Sequence, residues 1–239
     1  MPQSYFIWNN KDCRSMGIIL RRPAPIIRPE ERVKHIEIPG RSGDLTELED
    51  NSEPIFNSYI QTLTMSVRGG FRVRSVNNWL KGEGYVTFSG EPDRRQKARI
   101  IGAITLEKVS RNLDNWAGEV QFYCQPLKEL LSEDSVTISS SGSTVYNSGD
   151  VRCRPLIVAT ANATSMSITV GGKTLSITGL TSGTSYVIDS GTMEVLNSAR
   201  TTLLTKNSTG SFPMLAPGSN TITGSGWSSL AITKRERYL

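Results

Sequence analysis

Histidine is nearly absent from this chain. His35 is the only one among 239 residues, and it sits between Lys34 and Ile36 in a stretch that alternates like a strand. A Ser-His-Asp or Cys-His arrangement would have to converge on that single ring, and no GxSxG elbow accompanies it. Cysteine is scarce too. Cys13, Cys124 and Cys153 are far apart, odd in number and without a CxxC pair, so a Cys/His zinc site is excluded and buried free thiols are expected. No acidic repeat has calcium-loop spacing. The apolar stretches, such as Met16–Leu20, fall far short of the ~20 residues that cross a bilayer. No basic-then-apolar leader opens the chain, which predicts a soluble protein made in a cytoplasm. Charge of one sign is also lacking: 27 basic against 22 acidic residues leave only +5, too little for a nucleic-acid groove unless clustered. The one basic run, Arg94–Arg99, has Glu91 and Asp93 beside it and no interleaved aromatics, so it reads as a solvated strand edge.

What is present is β-structure in two chemically different halves. Of the 49 charged residues, 37 lie at or before Asp134, and the remaining 105 positions hold 12. Beyond Asp134 the chain is rich in Ser, Thr, Gly and Asn, which predicts a boundary there: an N-terminal domain over 1–134 and a C-terminal one over 135–239. In the first half, "YIQTLTMSV" puts Tyr59, Leu63, Met65 and Val67 on one face. "WAGEVQFYCQPL" does the same with Trp116, Val120, Phe122 and Cys124. "KARIIGAITLEKV" reads as a strand bulged at Gly102. One helix is expected over "SVNNWLKGEG", capped by Ser75 and stopped by Gly82. A lone helix among many strands argues against a βαβ nucleotide fold. The second half reads as a β-sandwich. Gly171-Gly172 supplies a tight hairpin turn in "SMSITVGGKTLSITGL", and Asp189-Ser190-Gly191 turns the next pair. "VGGKT" lacks the earlier glycine and the following helix of a phosphate-binding loop.

Two stretches attract a functional reading. In "HIEIPGRSGDL" a strand ends at Ile38 and a stiff, charged turn follows, made of Pro39, Gly40, Arg41, Ser42, Gly43 and Asp44. Glu47, Glu49 and Asp50 make the continuation acidic and solvated. The turn is expected at a subunit contact or facing a channel, with an internal Arg41–Asp44 pair as the plainer alternative. Trp227, between Gly226 and Ser228, is the one candidate glycan-stacking platform in the sandwich, while Tyr186 and Phe212 read as core. The terminal "KRERYL" is polar and basic, either a frayed end or a segment returning toward the first domain.

"MGIIL", "IEIPGRSGDL", "NSGDVRCRPLIVA" and "FPMLAPGSNTIT" occur in that order. Together they resemble the distal tail protein (Dit) family of long, non-contractile-tailed bacteriophages and their prophage relatives, over about residues 5–235 of this chain. After Ile188-Asp189, where the family often carries an acidic residue, Ser190-Gly191-Thr192 follow. The resemblance implies a mainly β chain whose N-terminal domain builds a hexameric ring and whose C-terminal galectin-like sandwich projects outward. It implies a place at the tail tip of the virion, after assembly in the bacterial cytoplasm. The implied partners are the tail tube protein, a tail-associated hub or lysin protein, and receptor-binding or baseplate proteins. No enzymatic activity, cofactor or metal is implied. The alternative is a glycan-binding sandwich that contributes to host cell-wall adsorption.

Overall fold

The computed structural model of the chain describes residues 4–48, 54–133 and 135–239. Glu49, Asp50 and the expected boundary residue Asp134 lie outside them. The chain divides into two compact units, Met1–Lys128 with Leu239, and Glu129–Tyr238. The division falls inside a strand, ahead of the composition change, because packing follows the core while the charge count follows the surface.

The strands of the first unit are β1 (Phe6–Trp8), β2 (Lys11–Asp12), β3 (Ile18–Leu20), β4 (Val33–Ile36), β5 (Leu45–Leu48), β6 (Tyr59–Arg68), β7 (Glu83–Phe88), β8 (Arg94–Ile101), β9 (Leu106–Lys108) and β10 (Asn115–Leu130). They form a sheet in the order β2-β1-β7-β8-β10-β6-β3, with β9 also on β10, while β4 and β5 make a separate hairpin. The long pair β6–β10 is antiparallel with Leu63 opposite Val120 and Gln61 opposite Phe122. The two-residue period holds: Leu63, Met65, Val67, Val120, Phe122 and Cys124 are buried, while Ile60 and Tyr123 on the other face are 51% and 41% exposed. Phe122 packs edge-on against Phe6, Trp8 and Phe88, at ring distances of 5.4, 5.5 and 5.9 Å.

Two expectations need correction. The helix α1 spans Gly70–Trp79, and Ser75 lies in its second turn rather than at its cap. Its first amide donates instead to the Asp114 carboxylate, with both oxygens at 2.8 Å, so the cap comes from 44 residues away in sequence. That amide, seconded by the Trp116 indole, holds the Asp114 carboxyl below the usual carboxylate range. The stretch from Lys97 to Val109 is two strands and not one bulged strand. Gly102 adopts φ +72 immediately after Ile101 and ends β8.

The second unit contains β11 (Ser135–Ile138), β12 (Ser143–Asn147), β13 (Leu156–Ala161), β14 (Ser165–Val170), β15 (Lys173–Thr178), β16 (Ser185–Asp189), β17 (Glu194–Asn197), β18 (Ser208–Gly210), β19 (Gly218–Ser225) and β20 (Trp227–Thr233). Two five-stranded sheets, β11-β20-β13-β16-β17 and β12-β19-β14-β15-β18, enclose one apolar core. Ile157, Ile188, Leu230 and Ile232 come from one sheet, and Ile168, Leu175, Ile177 and Ile222 from the other. The chain is therefore mainly β, with a sandwich as its second unit. The Gly171-Gly172 turn joins β14 to β15 with φ of +58 and +76, the mirror-image turn that a two-residue hairpin favours.

Gly226 is held by space as well as by conformation. It adopts φ +80, and a Cβ there would lie 2.0 Å from the Ser165 carbonyl oxygen. Gly226→Ala is expected to destabilise the sandwich by about 3 kcal/mol, through αL strain and backbone displacement together. Chemical denaturation followed through Trp227 fluorescence checks this, and an unchanged midpoint would contradict the contact.

Candidate functional site

The hairpin β4–β5 is the most exposed regular structure of the first unit. Ile36 pairs with Leu45 at its tip end and Val33 with Leu48 at its base, and among the described residues its two strands pair only with each other. His35 projects from β4 as an exposed side chain. Beyond Ile36 the tip turns sharply. Arg41 N–H donates to the Ile38 carbonyl at 3.1 Å with Pro39 and Gly40 between them, and Gly40 takes φ +82. Proline at the second and glycine at the third position of such a turn is the type II pattern, because only glycine adopts the positive φ without strain. Gly43 repeats the left-handed conformation at φ +81.

All six residues from Pro39 to Asp44 are exposed, and neither Arg41 nor Asp44 forms an ion pair among the described residues. The hairpin also carries apolar side chains in solvent, Ile38 at 38% and Leu45 at 44% exposed. Two-stranded ribbons are marginal alone, and exposed apolar side chains beside open backbone edges are contact material. Geometrically the arm offers two free strand edges, an apolar flank and a tip with one cation and one anion.

Trp227 is not available to stack on a sugar. The ring is 6% exposed, belongs to the sandwich core, and its Nε1–H donates to the Ser167 carbonyl at 3.2 Å. Its flanking Gly and Ser suggested a surface position. Gly226 is there for a tight approach to β14 instead, and it delivers the indole inward. Tyr186 is buried as expected, its hydroxyl accepting from Thr181 N–H at 2.8 Å. Phe212, read as core, is only partly buried, packing against the core with one side open.

The three thiols are buried and unpaired. Burial pushes Cys124 and Cys153 up to about 12, and Cys13 upward as well, so none is a thiolate at neutral pH. Among the described residues no cluster of three His, Cys, Asp or Glu side chains could hold a metal ion. A bidentate pairing stands in the second unit: Arg235 grips Asp189 through two nitrogens at 2.7 and 3.0 Å and holds its carboxyl below its ordinary value. Asp189 Oδ1 also accepts from Gly191 N–H at 2.8 Å, closing the β16–β17 turn.

Two hollows remain. One of about 440 Å³ lies in the first unit against β9 and β10, lined by Thr105, Glu107, Gly118, Glu119 and Gln121. The other, about 310 Å³, lies in the sandwich where the β16–β17 turn meets the segment after β18. Sequence reasoning missed the second one, whose lining residues come from segments far apart in the chain.

Taken unit by unit, the architecture is mainly β: an antiparallel sheet of strands of unequal length with an exposed hairpin, followed by a two-sheet sandwich. Among solved structures, it matches the crystal structure of the SPP1 Dit protein, described as a paradigm of the hub adsorption apparatus in phages infecting Gram-positive bacteria. The TM-score is 0.80 at 16% identity, with 100% of each chain covered. The resemblance read from four short motifs is thus met at the level of the whole fold. No family model matches the chain, and no curated protein matches it.

Proposed function

We propose that this chain is a structural protein of a phage tail, a distal tail protein that closes into a six-membered ring between the tail tube and the tail tip. The single observation that carries the reading is the agreement of fold over the full length of both chains with a protein of a phage adsorption apparatus. The shape of the hairpin supports it. A subunit that closes a cyclic ring needs two different surfaces meeting head to tail, and β4–β5 supplies an arm for a neighbour's groove or sheet edge. In this reading Arg41 and Asp44 pair with charges of the adjacent subunit or of the tail tube protein. The first unit then builds the ring, and the sandwich faces the tail-associated hub protein and the receptor-binding or baseplate proteins. The protein is assembled in the bacterial cytoplasm and resides at the virion tail tip.

Six copies of a 26.3 kDa chain would give a particle of about 158 kDa. Sedimentation and negative-stain imaging are expected to find rings with a central channel, either free or on the ends of purified tail tubes. Deleting residues 40–44 should abolish them while leaving the thermal transition of the monomer within a few degrees, since that segment is exposed throughout. Intact rings from the deletion variant would remove the tip from the contact. A full-length chain that stays monomeric and never decorates tubes would overturn the ring itself.

A further inference from the structure

The hollow in the sandwich has a composition that specifies its occupant. Arg154 and Lys173 stand at its rim, Met193, Phe212 and Met214 supply apolar walls, and Ser190 contributes to the floor. Both cations are exposed, and neither has an ion pair or side-chain hydrogen bond among the described residues. No acidic side chain lines the hollow. Ser190 is 1% exposed, and its hydroxyl has no hydrogen-bond partner among the described residues. Met193 adds a further sign: it is 53% exposed and adopts φ +58, a conformation unusual for a side chain of that shape.

We infer that this hollow is a docking site for an acidic, apolar-flanked peptide segment of a partner protein, whose carboxylate reaches Arg154 and Lys173 while its apolar neighbour fills the methionine-lined wall. Three features select this occupant. Two uncompensated cations facing one space call for an anion. Neutral sugars are recognised largely by carboxylates and amides that accept from their hydroxyls, and no carboxylate or amide side chain lines the hollow. Thioethers and an aromatic edge suit an aliphatic side chain, which a polymer of sugar and phosphate would not bring. The position fits an extended peptide as well. Gly210 and Ser211 border the hollow directly after β18, and β18 is the last strand of its sheet, paired only with β15. A segment adding to that open edge would lead its side chains into the hollow at alternate positions.

This site rests on the proposed function only for the expectation that the partner is a tail protein, so ring imaging and peptide binding can fail independently. Random peptides capped at both ends and displayed as a library should be selected on the full chain, with the wild type compared to the double variant Arg154→Ser/Lys173→Ser. Both side chains are exposed, so the double variant should keep the wild-type melting transition. The expected result is enrichment of Asp or Glu beside an aliphatic residue. Affinity should fall roughly tenfold for each cation removed, and also when the peptide's acid becomes the amide. Protection of the Met193 and Met214 methyl resonances on peptide addition would locate the binding. Enriched peptides without an acid, or equal binding to the double variant, would overturn the proposal. So would glycerol 3-phosphate shifting the same methyl resonances while selected peptides do not, because the occupant would then be a phosphate polymer.

Discussion

Phe122→Ala is expected to cost the first unit about 4 kcal/mol of stability, within the range for emptying a fully buried aromatic position. Phe122 is 0% exposed, and it is the ring on which Phe6, Trp8 and Phe88 converge, with interplanar angles of 68°, 60° and 84°. Each edge-on contact contributes about 0.5–1.5 kcal/mol beyond simple burial. Phe6 in turn stacks on Trp79 of α1 at 5.8 Å. The ring thus ties β1, β7 and β10 to one another and, through Phe6, to the helix. Alanine would leave a cavity whose walls are strands already fixed by their ladders, so little collapse can relieve it. Tyr123→Ala makes the comparison: one residue on, on the open face and 41% exposed, it should change stability by about half a kcal/mol or less. Urea denaturation followed through the tryptophans of the first unit separates the two, and equal midpoints would refute the aromatic core. Phe122 belongs to the core of the first unit and Trp227 to that of the second, so the sandwich transition, read at Trp227, is expected to stay in place.

The parts of this fold that announce themselves in the sequence are those settled by neighbours close along the chain. The alternation in Tyr59–Val67 and in Trp116–Cys124 dictates which face is buried, because a strand offers only two. Gly171-Gly172 dictates its turn, and Pro39-Gly40 dictates another. What stayed hidden depends on contacts between distant segments. The start of α1 needed Asp114, which no local reading of "GGFRVRSV" could supply. The flanks of Trp227 looked like surface, but the glycine there reflects a backbone 2.0 Å from where its Cβ would be. The hollow in the sandwich draws Arg154, Lys173, Ser190 and Phe212 from four separate segments, and no local pattern in any of them shows that they meet. Of the candidate site, the sequence displayed the conformation of the hairpin tip, since proline and glycine fix backbone angles by themselves. It could not display the apolar exposure of the arm, which depends on which strands the rest of the chain leaves unpaired.

The second large effect is expected at the end of the chain, where the polar string "KRERYL" is tied down. Glu236 is 4% exposed and accepts three hydrogen bonds: from Lys234 Nζ at 2.5 Å, Ser148 N–H at 2.8 Å and the Tyr238 hydroxyl at 2.7 Å. Burial alone would raise its pKa, but these partners together outweigh it and hold the carboxyl below its ordinary value. Glu236→Ala removes from a confined space the carboxylate that an ammonium, an amide and a hydroxyl share, although Lys234 Nζ keeps the Tyr146 carbonyl at 3.0 Å, and should cost the second unit about 3–4 kcal/mol. Glu236→Gln keeps the shape and part of the hydrogen bonding and should cost less. Because the folded-state pKa is depressed, the charge of Glu236 stabilises the fold above its unfolded value, near pH 4.3, and that contribution fades as the pH falls through the folded value. Asp189, also depressed by its Arg235 partner, adds to the same acid limb. Wild type and Glu236→Gln should therefore differ most near neutral pH and converge on acidification. A gap that stays constant from pH 7 to pH 3 would mean that the Glu236 charge does not hold this segment in place.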